Sequence, residues 1–496
     1  MKFRNTALLM LAAALAMTSC KHKEEAPVEN IPVIDKALND STSAFYANFA
    51  DYPENLRDLP IGVFDSGTGG LTVLEKLLSL NKFDNVTGTN ETDNVLDFAG
   101  EHFIYLADQA NMPYGVYDAE GKADYLRELV VKDALFLTGD KYYKNNVEAA
   151  PTGSKQRVKI MVIACNTATA YGLKSVQSML EQSKTGVKVI GVINAGVNAV
   201  LDQFQKETSA YAIGVLATQG TISSGAYERT IKESLEARGI KTPVTVVNQS
   251  GYGFAESVDS EPDYVNVNLQ SPRDSYRGPK IGNNDADLKE DMMNIYNFDY
   301  TDNKVLFNEN ENGLRTDIQL NNAINYARFN LVSLIERHRA SGINVPLKAV
   351  ILGCTHYPFL IETLQQVIDE LRAYTAADGS KPYAALIADD FTFVDPALYT
   401  AIECYNTLRE DGNLAFRPTP TEVRAYISVP SAQLEPEKLT EEGALTYDFK
   451  YGRQTGTEDI TTKAVPFAKS NIDENNLQRI EKLLPYCFKL IAPTME

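Results

Sequence analysis

The segment VKIMVIACNTATA, residues 158–170, joins a short apolar run to a cysteine and then to polar and small residues. An apolar run of this length is typical of a buried strand, and the small residues after Asn166 and Thr167 favour the start of a helix. A similar segment, AVILGCTHYPFL at residues 349–360, places Cys354 after a second apolar run. The chain thus contains two predicted strands that each end on a cysteine followed by hydrogen-bonding side chains.

Strand-like runs alternate with helix-like segments along most of the chain. The runs are PIGVF (60–64), FIYLAD (103–108), VKIMVIAC (158–165), VKVIGVI (187–193), AYAIGVLAT (210–218), PVTVVNQ (243–249), KAVILGC (348–354) and ALIADDFTFVD (385–395). This alternation predicts an α/β fold with mostly parallel sheets. Ligands bind such sheets beyond the carboxyl ends of the strands. Five polar or reactive residues fall at these ends: Asp65, Cys165, Thr218, Cys354 and Asp395.

Length and charge limit the function classes. The 496 residues suggest two or three domains at about 150 residues each. The formal net charge of -19 disfavours a nucleic-acid-binding protein, which needs a basic surface.

The first twenty residues, MKFRNTALLMLAAALAMTSC, have the layout of a signal peptide, with a basic start, a short apolar centre and small residues at the end. MTSC also resembles the bacterial lipobox, so we expect a signal peptide at 1–19, a lipidated Cys20 and a tether over 20–58. The alternative is an ordinary secretory signal with an incidental cysteine. The expected location is that of an exported lipoprotein, at the periplasmic or outer-membrane face of a Gram-negative bacterium.

Cys165, Cys354, Cys404 and Cys487 remain after Cys20 is set aside. An even number of cysteines in an exported chain allows two disulfides. A zinc site is disfavoured, because the chain has only four histidines and neither of the cysteines at the strand ends has a CxxC partner. We therefore predict no metal.

The segment DSGTGG (65–70) follows the first strand. It lacks the Gly-Lys-Ser/Thr ending of a triphosphate loop and the GxGxxG pattern of a dinucleotide loop. The segment is either a glycine turn that packs a helix on the sheet or, as we favour, a turn that presents Asp65 and Ser66 to a small polar ligand.

Five motifs, taken in order, resemble those of the aspartate/glutamate racemase family. They are PIGVFDSGTGGLTVLEKL (60–77), MPYG (112–115), VIACNTATA (162–170), GVLATQGTISSGAY (214–227) and ILGCTHYPFL (351–360). The resemblance covers residues 59–400 in blocks. It implies two pseudo-symmetric α/β domains with the active-site cleft between them. We place the first at 59–190, with a return of the chain near 386–496, the second at 191–385 with an insertion at 259–317, and a C-terminal elaboration at 405–475.

The resemblance implies cofactor-independent racemisation of an acidic amino acid, with glutamate as the first candidate and aspartate as the second. Cys165 and Cys354 match the two acid/base residues, and Cys165 matches the one that serves the D-isomer. Asp65 and His356 can assist the neighbouring thiols. The substrate-binding positions correspond to Asp65, Ser66, Tyr114, Gly115, Asn166, Thr167, Thr218, Thr221, Thr355 and His356.

The chain departs from the family pattern at two places. Ala195 stands where a proline is usual, and QSGYGFAESVD (249–259) replaces a segment with a Cys-Pro and a glutamate that supports the histidine. Asp259 is the first candidate for that supporting carboxylate, and Glu256 is the alternative.

Two further functions stay open: a related decarboxylase or isomerase on the same scaffold, and a ligand-binding lipoprotein without catalysis. The expected partners are a small acidic amino acid and a membrane, reached through the lipid anchor. The oligomeric state stays open, with a homodimer as one option.

Overall fold

Two larger sheets organise the computed structural model, which describes residues 31–415, 419–458 and 460–495. The strands are β1 (Ile61–Asp65), β2 (His102–Ala107), β3 (Lys141–Tyr142), β4 (Gly153–Ser154), β5 (Ile160–Ile163), β6 (Lys188–Gly191), β7 (Tyr211–Ala217), β8 (Val244–Ser250), β9 (Val305–Glu309), β10 (Arg315–Leu320), β11 (Leu347–Gly353), β12 (Ile387–Val394), β13 (Glu422–Pro430) and β14 (Thr462–Pro466).

Helices lie between most of these strands. They are α1 (Pro32–Asn39), α2 (Leu71–Ser79), α3 (Ala123–Thr138), α4 (Asn166–Ser183), α5 (Val192–Gln203), α6 (Gln219–Ser223), α7 (Ala226–Ala237), α8 (Phe254–Val258), α9 (Met293–Tyr296), α10 (Ala323–Ala340), α11 (Ile361–Ala373), α12 (Pro396–Glu410), α13 (Tyr447–Gly452), α14 (Glu474–Leu483) and α15 (Pro485–Ile491).

The first sheet has the order β14-β13-β2-β1-β5-β6, and the second has the order β12-β11-β7-β8. Every neighbouring pair in both sheets is parallel except β13 with β14. The predicted α/β class with mostly parallel sheets is therefore confirmed. Two short antiparallel pairs, β3 with β4 and β9 with β10, stand apart from these sheets.

The central strand of the first sheet is apolar on both faces. Val63 of β1 packs in one buried cluster and its neighbour Phe64 in another, because alternate side chains point to opposite faces of a strand. In the second sheet, Val350 and Ile351 of β11 divide between two clusters in the same way. A parallel sheet covered by helices on both sides reads as a continuous apolar run, which explains why both strands were recognisable in the sequence.

The C-terminal region, predicted as an elaboration at 405–475 with a return of the chain to the first domain near 386–496, adds two strands to the first sheet. β13 pairs in parallel with β2, with Val423 opposite Phe103, and β14 extends the same sheet. The chain ends in two successive helices, α14 and α15, which meet at Leu484 and Pro485. Proline lacks the N–H that would continue the first helix, so a new helix begins there.

The insertion at 259–317 is packed rather than purely superficial. Tyr276, Leu288 and Tyr296 are almost fully buried within the core of the second sheet. Although the insertion is mostly polar in sequence, these three apolar side chains pack into the core and hold the insertion against the second sheet.

The predicted signal peptide at 1–19 and Cys20 lie outside the described residues. The later part of the predicted tether contains α1, which buries Val33, Ile34 and Ala37. From Ile31 onward the chain forms one compact unit that holds both sheets, and the boundaries 59–190 and 191–385 remain predictions. Within the described ranges, no helix is both long and apolar enough to cross a bilayer.

Candidate active site

The two cysteines lie just beyond the carboxyl ends of their strands. Cys165 precedes α4, and its Sγ accepts a hydrogen bond from the Ala168 backbone N–H at 3.4 Å. Cys354 directly follows β11. Both side chains are buried free thiols, as are Cys404 and Cys487, so the disulfide pairings that the even number of cysteines allowed are not formed.

One small cavity brings residues of both sheets together, with a volume of about 20 Å³. This is room for about one water molecule. The lining residues are Ser66, Met112, Pro113, Tyr114, Gly115, Cys165, Asn166, Thr167, Thr218, Ala255, Glu256, Gly353, Cys354, Thr355 and His356.

Most of the predicted site residues line this cavity. Three lie outside its lining, namely Asp65, Thr221 and Asp259, each of which contacts a lining residue. Asp395 instead caps α12 by accepting a hydrogen bond from the Ala397 backbone N–H at 3.0 Å.

A buried chain of charged groups leads to Cys354. The Cys354 Sγ lies 3.4 Å from His356 Nδ1, and His356 Nε2 lies 2.8 Å from Asp259 Oδ2. Burial opposes the charged imidazolium, but Asp259 and the Cys354 sulfur together raise the pKa of His356 well above its usual range. Burial likewise opposes ionisation of Asp259, yet His356 and Arg479 lower its pKa to about 2. The imidazolium N–H of His356 therefore lies within hydrogen-bonding distance of the Cys354 sulfur.

The surroundings of Cys165 favour the neutral thiol. Burial and the neighbouring Asp65 carboxylate raise the pKa of Cys165 well above its usual value. Its Sγ donates to Ser66 Oγ at 3.7 Å. The two thiols are thus chemically unlike, with one beside a cation and the other beside a carboxylate.

Asp65 connects the two halves of the site. Its Oδ2 accepts a hydrogen bond from Thr355 Oγ1 at 3.1 Å, while its Oδ1 is buried without a partner among the described residues. Burial raises the pKa of Asp65. A buried acceptor without a partner is costly, and such groups concentrate at functional sites.

Hydroxyl groups join the first half of the site to the second. Thr167 Oγ1 lies 2.6 Å from Thr218 Oγ1 and 3.0 Å from Thr221 Oγ1, and the last two are 2.9 Å apart. Nearby, Tyr227 donates to Asn166 Oδ1 at 2.5 Å. This bond occupies the Asn166 oxygen and fixes the side chain, so its amide nitrogen can donate to a ligand.

Two glycines allow the halves to approach closely. A Cβ at Gly69 would lie 2.7 Å from Thr355 Oγ1, and one at Gly115 would lie 2.9 Å from the Thr218 Cβ.

Tyr114, next to Gly115, donates to Asp108 Oδ2 at 2.5 Å and also lies 2.8 Å from Asp133 Oδ2. Its side chain is therefore held from behind by two buried carboxyl groups.

A larger chamber of about 520 Å³ adjoins the cysteine cavity and shares Gly115, Thr218 and Glu256 with it. The insertion at 259–317 forms much of its wall, including Arg277 and Lys280. Glu256 is buried, and its Oε2 has no partner among the described residues. Burial raises the pKa of Glu256 to about 7.

Two residues that shape the site, Glu256 and Arg479, have places that the sequence did not predict. Glu256 was considered only as an alternative support for His356, but the structure gives that contact to Asp259 and places Glu256 in the cavity wall. Arg479, in α14, was not recognised at all, although its guanidinium reaches Asp259 at 2.9 Å. No local pattern distinguishes Arg479 from Lys482, the other basic residue of that helix. Within the part of the chain that the structure describes, no group of three or more His, Cys, Asp or Glu side chains is arranged to hold a metal ion.

Similarity to known proteins was found at the level of sequence and of structure. The chain is 33% identical over 189 residues to a glutamate racemase of Oceanobacillus iheyensis, covering 38% of this chain and 52% of that protein. It is 34% identical over 197 residues to a glutamate racemase of Enterococcus faecalis, covering 39% and 55%. The chain thus spans about half the length of the curated relatives it matches.

Among solved structures, a glutamate racemase of Bacillus anthracis aligns with a TM-score of 0.44 and 21% identity, over 74% of this chain and 88% of that one. No protein-family model matches the chain.

The fold and site define an α/β protein in which two unlike thiols, one from each parallel sheet, face one cavity. Over the aligned segment, the chain is similar in sequence to glutamate racemases, which are the curated relatives that it matches.

Proposed function

We propose that the protein racemises an acidic amino acid, glutamate in the first place, by removing and returning the α-proton with two thiols. The observation that carries the proposal is that Cys165 and Cys354 come from different sheets and line the same cavity as free thiols. The glutamate racemases to which the chain is similar support glutamate as substrate. Aspartate is the second candidate.

The unlike surroundings of the thiols give each a role in the resting enzyme. The Cys354 thiolate, beside the His356 imidazolium, removes the α-proton of the L-isomer. The Cys165 thiol donates its proton to the opposite face of the α-carbon, which yields the D-isomer. Proton exchange with solvent then restores the starting protonation, and the reverse reaction starts from a Cys165 thiolate and a Cys354 thiol.

The intermediate carries negative charge that spreads onto the substrate carboxylate. Hydrogen-bond donors aimed at that charge lower the barrier in a site from which water is excluded. The Asn166 amide nitrogen lines the cavity and supplies such a donor. The hydroxyls of Thr167 and Thr355 also line it, and each donates to the substrate after turning from its present partner, Thr218 or Asp65. These groups are the binding positions that we assign to the α-carboxylate.

The competing functions make different demands on the thiols. A decarboxylase or a one-sided isomerase needs a proton donor on only one face of the substrate, whereas this cavity has a thiol from each sheet. A binding protein without catalysis has no use for the charged groups behind Cys354. Racemisation uses both features.

The test is an assay of the purified mature chain with L- and D-glutamate and with L- and D-aspartate, followed by circular dichroism of the substrate. We expect each glutamate isomer to approach the racemic mixture, with the Cys165→Ser and Cys354→Ser variants as controls for contaminating enzyme. Loss of the carboxylate as carbon dioxide, or unchanged optical rotation with all four substrates, would overturn the proposal.

We also propose that the protein is exported and anchored to a membrane by a lipid on Cys20. Support comes from the signal-peptide layout and the lipobox-like MTSC. In a Gram-negative host, the wild-type chain should fractionate with membranes and the Cys20→Ala variant should not. Recovery of the wild-type chain in the cytosolic fraction would refute the anchor.

A further inference from the structure

We infer that Arg479, on the C-terminal helix α14, is a positioning residue of the active site that keeps the Asp259–His356 pair in its charged form. The C-terminal region would then be part of the catalytic apparatus, although it lies beyond the segments that carry the family resemblance. This inference rests on the proposed function, because it assigns Arg479 to the support of Cys354 as an acid/base group.

Arg479 reaches the second half of the site from a helix 220 residues away in sequence. Its Nη2 donates to Asp259 Oδ1 at 2.9 Å, and its Nη1 donates to the Val258 carbonyl oxygen. The guanidinium also lies over the Phe359 ring, 4.5 Å from its centroid. Contacts to three neighbours leave the side chain only 15% exposed and fix its direction.

The two oxygens of Asp259 serve two different cations. Oδ2 contacts His356 at 2.8 Å, and Oδ1 contacts Arg479 at 2.9 Å. The Asp259 side chain is only 1% exposed, so its negative charge has almost no help from water. A buried carboxylate needs paired charges and hydrogen bonds to remain ionised, and Arg479 supplies both.

The effect on catalysis passes through His356. An ionised Asp259 stabilises the imidazolium, which in turn donates to the Cys354 sulfur at 3.4 Å. If Asp259 became protonated, the His356 imidazolium would lose its carboxylate partner, and the charged group beside the Cys354 sulfur would lose its support. Arg479 therefore extends the range of pH over which Cys354 can remove a proton.

Most other ionisable groups near this pair are acidic, and their negative charge disfavours the ionised form of Asp259. Besides His356 and Arg479, the titratable groups that interact with Asp259 or His356 are Asp65, Tyr105, Glu256, Glu261 and Cys354. Three of these five groups are carboxylic acids. Arg479 is thus the permanent positive charge of the cluster, since a guanidinium does not lose its proton in proteins.

The experiment compares the wild-type chain with Arg479→Gln, Arg479→Lys and the control Lys482→Gln. Lys482 is an exposed cation on the same helix. We expect Arg479→Gln to lower kcat about tenfold or more in both directions with little change in KM, and to move the acidic limb of the kcat/KM profile to higher pH. In Arg479→Lys, the acidic limb of the kcat/KM profile should lie close to its wild-type pH. Lys482→Gln should match the wild type in kcat, KM and pH profile.

A purely structural role would lower activity equally at all pH values and leave the limb in place. That result, with a Lys482→Gln variant like the wild type, would overturn the inference. Thermal unfolding of each variant separates loss of fold from loss of charge support.

A second readout does not depend on racemase activity. The readout is the chemical shift of the His356 ring nitrogens in protein labelled with nitrogen-15 histidine, and the His356→Asn variant assigns the signal. On acidification, this chemical shift should change at a higher pH in Arg479→Gln than in the wild type. An unchanged His356 titration refutes the role of Arg479. A changed titration in a protein that racemises no substrate refutes the proposed function alone.

Discussion

His356 Nε2 lies 2.8 Å from Asp259 Oδ2, which joins the end of β11 to the end of α8 across 97 residues of sequence. Behind Asp259 lies Arg479, and in front of His356 lies Cys354. Among the residues that the structure describes, no comparable series of charged groups leads to Cys165, whose neighbour is the Asp65 carboxylate. The site is therefore built from two thiols in opposite electrostatic surroundings.

Single replacements of the two thiols should separate their roles. With Cys165→Ser or Cys354→Ser, racemisation should fall by at least about a hundredfold in both directions, because each direction needs one base and one acid. Exchange of the α-proton should survive for one isomer only, the one whose face still carries a thiol. The measurement is deuterium incorporation at the α-carbon in heavy water by NMR. Substantial racemisation by either variant, or equal exchange of both isomers, contradicts the two-thiol mechanism.

Asp259 should link stability to acid pH. Because its pKa of about 2 lies below the unfolded value near 4, the carboxylate stabilises the fold above about pH 4, and this contribution is lost as the pH falls towards 2. The wild type should therefore lose about 2 kcal/mol more than Asp259→Asn between pH 6 and pH 2. Denaturant unfolding of both proteins across this range gives the difference. Parallel curves would show that Asp259 is not held ionised.

Glu256 should make binding of an acidic substrate depend on pH near neutrality. The pKa of Glu256 is about 7, so its carboxyl group becomes negative as the pH rises through this value. Negative charge in the cavity wall repels an acidic side chain, and KM for glutamate should rise above pH 7 in the wild type. In Glu256→Gln the rise should be absent, while the conservative Glu256→Asp should retain it. Identical KM profiles for the wild type and Glu256→Gln would remove Glu256 from substrate recognition.

A buried ion pair at the amino ends of β2 and β5 should contribute more to the free energy of unfolding than surface ion pairs do. Lys159 Nζ lies 2.7 Å from both carboxylate oxygens of Glu101, and neither side chain is exposed. Lys159→Met leaves a buried charge without its cation and should cost about 3–5 kcal/mol. The exposed pair of Lys188 with Asp411 is the control, since Lys188→Met should cost at most about 1 kcal/mol.

Denaturant unfolding measures both changes. Replacement of Lys159 and Glu101 together by apolar residues should recover part of the loss, because no unpaired charge then remains. Equal costs at the buried and exposed pairs would contradict this account.

The sequence determined the fold class and the parts of the site that lie close to strands. The apolar runs before Asp65, Cys165 and Cys354 are continuous because these strands are covered on both faces. Each run is followed by the residues that the edge of a parallel sheet presents to a ligand. A local sequence pattern therefore predicted both the strand and the candidate site residues at its carboxyl end.

Only the tertiary structure decided which distant strands and side chains contact those residues. β13 contains the run AYIS but lies between polar and proline-containing segments, so its place beside β2 depends on pairing with a distant strand. The choice of Asp259 over Glu256 depends on which carboxylate the turn of α8 directs towards His356. Arg479 acquires its role from contacts across 220 residues. Such contacts arise from packing between elements, which the periodicity of a single segment does not encode.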